Sequence, residues 1–310
     1  MALAAAAALL ALAQAVPAWA YCRATTCTKK VCQTDAAACV TEGFPVFWSS
    51  SCITISIQGD GAPHAGIDYA AAKASVERAV EAWTSVDCPG GGHPSIQVKV
   101  EGPVTCSSAE YNGDQHNANI VMFRDDTWPN AGQSPDTLGF TSLNFSRDNG
   151  ELYDADIELN AVAEALSVGR EPKPTEADLD SIITHEVGHL LGLNHSLDVE
   201  ATMVGGYQDG TFELRTPARD DIEGICAIYP PGRKPASTSC EPRHGFSELC
   251  AADQPVDTMP SDNPTDGTVG SNDKTSRGCA FAGAPAQQSA DATLGALAFA
   301  LAFCLRRRRA

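Results

Sequence analysis

The spacing of apolar positions changes several times along this chain, and each change marks an element. Cys52-Ile53-Thr54-Ile55-Ser56-Ile57 alternates with the two-residue period of a half-buried strand. From Tyr69 to Val86 the period lengthens, and Val76, Ala79, Val80 and Trp83 fall on one side of an Ala-rich helix. Ser95 to Val100 and Asn119 to Phe123 read as two more strands. Leu138 to Phe145 and Glu151 to Leu159 flank Asp148-Asn149-Gly150, and Asn-Gly is the preferred two-residue turn, so a hairpin is expected. A second helix is predicted over about Glu176 to Leu191, because Leu179, Ile182, Ile183, Val187, Leu190 and Leu191 recur at offsets of three and four. Thr175, with Asp178 three residues on, would cap it, and Pro172 and Pro174 mark the preceding loop.

Only this middle part has the periodicity of a core, so the 310 residues divide into one domain with appendages. Met1 to Ala20 is an Ala- and Leu-rich run ending Ala18-Trp19-Ala20, a small-x-small pattern expected of a signal peptide, although basic residues are missing at its start. Residues 21–50 form a Cys-rich segment, 51–230 the main domain, 231–278 a flexible linker and 279–310 a tail. Cys22, Cys27, Cys32, Cys39, Cys52, Cys88, Cys106, Cys226, Cys240 and Cys250 make an even ten before the tail, consistent with disulfides in an oxidising compartment. Cys240 and Cys250 could close a small loop in the linker; zinc on the crowded first four is the competing reading. The tail carries Gly278-Cys279, an apolar run ending Leu294 to Leu305, and four terminal arginines that would stay on the cytoplasmic side of a membrane. A net charge of −18 argues against binding to nucleic acid.

Chemistry concentrates in His185-Glu186-Val187-Gly188-His189-Leu190-Leu191-Gly192-Leu193-Asn194-His195. Residues four apart on a helix share a face, so His185 and His189 can reach one ion. Glu186 sits one step round, beside the metal, where it can act as general base toward water. Four-coordinate zinc needs a third protein ligand and one open position. Gly192 can take the left-handed conformation that ends the helix and returns His195 to the ion. A bare His-Glu-x-x-His could arise on a structural helix, but with 26 Gly and 7 His in the chain the two further positions match by chance only about once in 500. His64, His93, His116 and His244 lie among Pro, Gly and Asn and read as surface residues.

This signature resembles that of the metzincin metallopeptidases, and its surroundings resemble the matrixin branch. Ser196 follows the third His, Met203 in Ala201-Thr202-Met203-Val204 looks like the Met-turn beneath the metal, and Asp220 to Tyr229 looks like the closing helix, capped by Thr216-Pro217, with Ile222, Ile225 and Tyr229 toward the core. The resemblance, over roughly 51 to 230, implies an α+β metzincin catalytic domain: a twisted, mostly parallel five-stranded sheet with an antiparallel edge strand, three helices, and zinc in the cleft. Leu138 to Phe145 would be the edge along which a peptide lies extended. It implies one catalytic Zn2+ on His185, His189 and His195, Glu186 as the catalytic base and Met203 as a packed floor. Tyr207 would either hydrogen-bond near the metal or simply pack.

Departures shape the expectation further. No Pro-Arg-Cys-Gly switch is present, and Asp125 to Thr137 holds no histidine for a second zinc. Gly205 stands where Pro is usual, so the resemblance does not carry over to the specificity pocket beside it. Asp154, Asp156 and Glu158 alternate along one strand face in the region where matrixins hold Ca2+; a solvated face is the first expectation and calcium the second, since three oxygens fall short of six to eight. The tail resembles the MYXO-CTERM type of bacterial sorting tag, which implies export to the cell surface and a membrane-attached state, transient if the tail is processed. The expected activity is a monomeric, exported zinc endopeptidase acting on protein or peptide substrates. A surface-attached zinc-binding or adhesion module without turnover is the alternative, and a structural zinc domain is disfavoured by the open fourth position.

Overall fold

The computed structural model describes residues 21–128, 134–162, 165–249 and 299–307, the last by its backbone path. Met1 to Ala20, Cys250 and the Gly278-Cys279 pair lie outside the described residues. The main elements are β1 (Cys52–Gln58), α1 (Tyr69–Thr84), β2 (Gln97–Val104), β3 (Ile120–Arg124), β4 (Thr137–Phe145), β5 (Leu152–Asn160), α2 (Leu179–Leu190), α3 (Arg219–Ile228) and β6 (Phe299–Arg307). Five strands form the α+β core sheet in the order β4-β5-β3-β1-β2, with β1–β2, β1–β3 and β3–β5 parallel and β4–β5 antiparallel. In β1, Ile53, Ile55 and Ile57 share one face and are all buried, and Thr54 and Ser56 on the other face are buried as well.

The sheet does not end at β4. The C-terminal strand β6 pairs antiparallel with it and parallel with Gly206–Tyr207 on the far side. The described part of the apolar run ending at Leu305 is thus strand, where the sequence suggested a membrane-anchoring helix. Among the described residues, no helix is long and apolar enough to cross a membrane.

Two helices lie against the sheet and against each other. α1 is started by Asp68, whose carboxylate accepts from the Ala71 N–H at 2.8 Å. Trp83 is fully buried and donates from Nε1 to the Thr184 carbonyl of α2 at 2.7 Å, so its large apolar surface is buried with its one polar atom satisfied. Arg78 adds a two-pronged bond to Asp180, with Nε and Nη2 each at 2.8 Å.

α2 begins three residues later than its apolar pattern suggested. Ala177–Asp178 pairs with Leu166–Ser167, and Asp178, not Thr175, caps the helix by accepting from Ser181 N–H at 2.9 Å. Arg215 then clamps the same carboxylate at 2.6 and 2.7 Å. α3 likewise starts at Arg219 behind Ala218, whose N–H is bonded by Asp221 at 2.8 Å. The β4–β5 hairpin is longer than a two-residue Asn-Gly turn: Ser146 and Glu151 close a loop in which Gly150 has φ +80°. A side chain there would strike the Pro45 carbonyl, so the N-terminal segment dictates the loop.

Both appendages are bound to the domain. The segment 21–50 bridges to α2 and its exit: Ala24 N–H reaches the Gly192 carbonyl at 2.9 Å and Trp48 Nε1 the Leu190 carbonyl at 2.8 Å. Cys22 pairs with Cys39 and Cys27 with Cys32, which removes the zinc alternative for those four thiols. Cys88–Cys226 ties the end of α1 to α3. Cys240 pairs with Cys52 and not with Cys250, and Cys106 is also disulfide-bonded. Residues 231–249 therefore differ from the expected free linker. Ala236 bonds Ser49, Ser51 bonds Ser237, and Asn117 and Thr105 pair with Gly245 and Glu248, so this stretch is a strap laid across the sheet. A composition rich in Pro and Ser does not reveal backbone bonds that distant segments supply.

Candidate active site

α2 carries His185 and His189 one turn apart, and every residue of the helix is buried. The chain then leaves through Leu191 and Gly192, whose φ is +98°. Any side chain at Gly192 would sit 2.8 Å from the Val46 carbonyl, so position 192 needs glycine for both conformation and space. The short Leu193–Asn194 strand, paired with Cys22–Arg23, delivers His195 to the other two imidazoles. Ring centroids lie 4.7, 4.9 and 5.2 Å apart.

Two of the three rings are aimed by the backbone. His185 Nδ1 donates to the Thr202 carbonyl at 2.6 Å and His189 Nδ1 to the Leu193 carbonyl at 3.0 Å. With Nδ1 protonated, each Nε2 presents a lone pair, and the two lie 3.0 Å apart. His195 Nε2 is buried with no hydrogen-bond partner. Burial, the largest effect, pushes His185 down to about 3, with His195 adding repulsion; His189 is also pushed well down, and burial takes His195 to about 4. Neutral imidazoles at neutral pH are what a divalent cation requires. Three nitrogen donors within 4.8 Å of one another, one orphaned in the interior, fit zinc with a position left open.

Glu186 is fully buried beside this cluster. The Thr141 hydroxyl on β4 donates to its Oε2 at 2.6 Å, and Gly139 leaves the room it occupies: a Cβ there would fall 2.6 Å from Oε1. Neither residue carries a sequence signal, because an alternating strand does not announce what its inward face will touch. Met203 packs beneath the helix. Its sulfur lies 2.3 Å from where a Cβ on Gly188 would be, so glycine at 188 lets the floor come up to α2. Gly205 faces the His195 ring in the same way, with 2.9 Å from a would-be Cβ to Nδ1.

Asp221 holds the Met203 turn in place. It is buried and accepts from the N–H groups of Thr202 at 2.6 Å, Met203 at 3.0 Å and Ala218 at 2.8 Å. Burial pushes its carboxyl up to about 6, against the three N–H dipoles that favour the anion. Ser196 bonds Asp220 at 2.7 Å, tying the third histidine's neighbour to the same helix. Tyr207 is a packed tyrosine: its hydroxyl accepts from Asp178 N–H at 2.8 Å and donates to the Thr211 carbonyl at 2.6 Å. His64, His93, His116 and His244 are exposed.

The acidic face of β5 is not solvated. Asp154 and Asp156 are fully buried and Glu158 nearly so. Glu158 is paired with Arg124. Asp156 accepts from Ile120 and Glu110 N–H groups at 3.1 and 3.0 Å, and Asp154 from Asn144 at 3.1 Å. Among the described residues these three carboxylates form no common group of candidate metal ligands. Burial raises Asp156 and takes Asp154 up to about 8. The folded chain therefore keeps a proton that the unfolded chain releases near pH ~4, and stability drains away as pH rises between those values. Asp154→Asn is expected to raise Tm at pH 8 by roughly 4 °C, about 1–2 kcal/mol, and to leave it unchanged at pH 4. Thermal melts at the two pH values decide this; an equal change at both would show that the proton is irrelevant.

Residues 91–230 match the matrixin family model. Metalloendoproteinase 1 of Glycine max is 42% identical over 62 residues, 20% of this chain and 20% of that protein. Metalloendoproteinase 1-MMP of Arabidopsis thaliana is 34% identical over 97 residues, 31% and 26% of the two chains. Interstitial collagenase of Oryctolagus cuniculus is 45% identical over 60 residues, 19% and 12%. The chain thus spans about a quarter or less of the length of these relatives. Residues 91–230 are thus similar to the matrixin family, and the sheet order and the histidine cluster accord with that similarity.

Proposed function

We propose that this chain is an exported zinc-dependent endopeptidase. The observation that carries the reading is the meeting of three neutral imidazoles, two of them aimed by backbone carbonyls, with a buried carboxylate held by Thr141. His185, His189 and His195 would hold one zinc, which when bound supplies Lewis acidity toward water and a peptide carbonyl. Glu186 takes the proton of the attacking water and returns it to the leaving amine as the C–N bond breaks. The Thr141 hydroxyl keeps one carboxylate oxygen fixed, so the other is directed to the proton in flight. The similarity to metalloendoproteinases supports protein or peptide as the substrate class.

Export rests on the N-terminal apolar run and on the four described disulfides, which suit an oxidising compartment. The Gly-Cys, apolar and arginine tail supports a cell-surface stage. The test is zinc stoichiometry together with cleavage of an unfolded protein. It uses the full chain, with a site for an unrelated sequence-specific protease inserted between 255 and 290, before and after cutting there. One zinc per chain and cleavage that stops on chelation and returns with zinc is the expected result. Zinc without cleavage, in both forms, would favour a binding module without turnover.

A further inference from the structure

Strand β6 lies along the outer edge of β4, the edge that an extended peptide would pair with. It runs antiparallel along β4 from Phe299 opposite Phe145 to Arg306 opposite Thr137. On its other side Arg306 and Arg307 run parallel to Gly206 and Tyr207, directly after Gly205, which faces His195. Helix α2 packs against it. Its middle passes in front of the general base: Phe303 stands opposite Thr141, whose hydroxyl holds Glu186, and Leu305 opposite Gly139, whose missing side chain makes room for that carboxylate.

We infer that residues 299–307 are the intramolecular occupant of the substrate cleft, so that the chain's own C-terminal segment and a substrate peptide exclude each other. This rests on the endopeptidase reading above for its consequence, though not for its geometry. The physical reason is the count of hydrogen-bonding groups. The outer edge of a strand offers one row of N–H and C=O groups, and a second strand that takes them leaves none for a third. Without β6, the β4 edge and the Gly206–Tyr207 backbone are open on facing sides of a slot, and both rows are met only by an extended segment in this direction. Tethering makes weak pairing sufficient. On one chain the local concentration is on the order of millimolar, so a segment that binds in trans with a Kd of ~100 μM would suppress turnover roughly tenfold.

The consequence is a requirement for release. Anything that draws the tail elsewhere, whether a membrane that takes up its apolar residues or a cut upstream of 299, opens the cleft.

The test uses the full chain with the inserted cutting site and a second full chain carrying Leu301→Pro and Ala302→Pro. Adjacent residues in a strand point their N–H groups to opposite sides, so one of the two prolines removes a bond to β4. Amide hydrogen exchange is followed on 137–145, and hydrolysis is followed with a short quenched peptide. Expected are protected β4 amides in the intact chain, at least tenfold faster exchange after cutting and dilution or in the proline variant, and a tenfold rise in hydrolysis. A synthetic peptide of residues 299–307 restores protection to the cut form. Equal exchange of 137–145 in all forms overturns the inference, whatever the hydrolysis. Deprotected amides with bound zinc and no hydrolysis in any form would leave the strand assignment standing and remove the endopeptidase reading instead.

Discussion

Glu186→Gln lowers kcat/KM by roughly 10³-fold, about 4 kcal/mol of transition-state stabilisation, while zinc remains bound at one per chain. The amide is nearly isosteric and can keep the Thr141 bond through its carbonyl oxygen, so the fold and the three imidazoles have no reason to move. What is lost is the capacity to accept a proton from water and deliver it to the amine. Loss should appear in kcat with KM little changed, because the carboxylate acts on the reacting water and not on the remote parts of the peptide. Steady-state kinetics on the tail-released chain, with zinc counted in the same sample, give the answer. A variant that turns over within tenfold of wild type would move the base elsewhere.

Asp221→Ala is the second large effect, and it acts at a distance from the metal. Three backbone N–H groups lose their shared acceptor in an interior that water does not reach, at a cost of roughly 3 kcal/mol or more. For a domain of this size that is a fall in Tm of roughly 10 °C. The Thr202 carbonyl that aims His185 belongs to the turn that Asp221 holds, so zinc affinity should fall about 10- to 100-fold in the same variant. Asp221→Asn keeps one acceptor oxygen and should fall between the two. Calorimetry and a zinc-chelator competition measure both quantities. A variant with wild-type Tm and wild-type affinity would show that the turn stands without its anchor.

The two predictions differ in how early they could be made. Glu186 is legible in the bare sequence, because a helix fixes what lies one and four residues away. Asp221 is not. It sits in the first turn of α3, where an acidic residue is already explained by the helix dipole and the cap, and nothing local says that its carboxylate reaches back to Thr202 and Met203. Thr141 and Gly139 are hidden for a similar reason. Period-two alternation says which residues share a face, but not which helix residue that face will meet.

Charge was a poor guide where burial intervened. Asp154, Asp156 and Glu158 suggest a wet strand face by their alternation, yet the neighbouring strand, the Glu110 region and Arg124 close over them. Pro- and Ser-rich composition likewise suggested a free linker over 231–249. Cys52–Cys240 and a series of backbone bonds make it a strap.

The sequence by itself determined that His185 and His189 share one helix face, the need for a left-handed residue at Gly192 and the approximate course of strands β1 to β5, since each depends on patterns within a few residues. Tertiary structure alone decided the disulfide partners, the hold of Thr141 on Glu186 and of Asp221 on the turn, and the pairing of residues 299–307 with β4. Thr141 and Glu186 lie 45 residues apart, Thr202 and Asp221 19, and Cys52 and Cys240 188. No local pattern encodes which distant edge a strand will find, because every unpaired edge offers the same backbone groups.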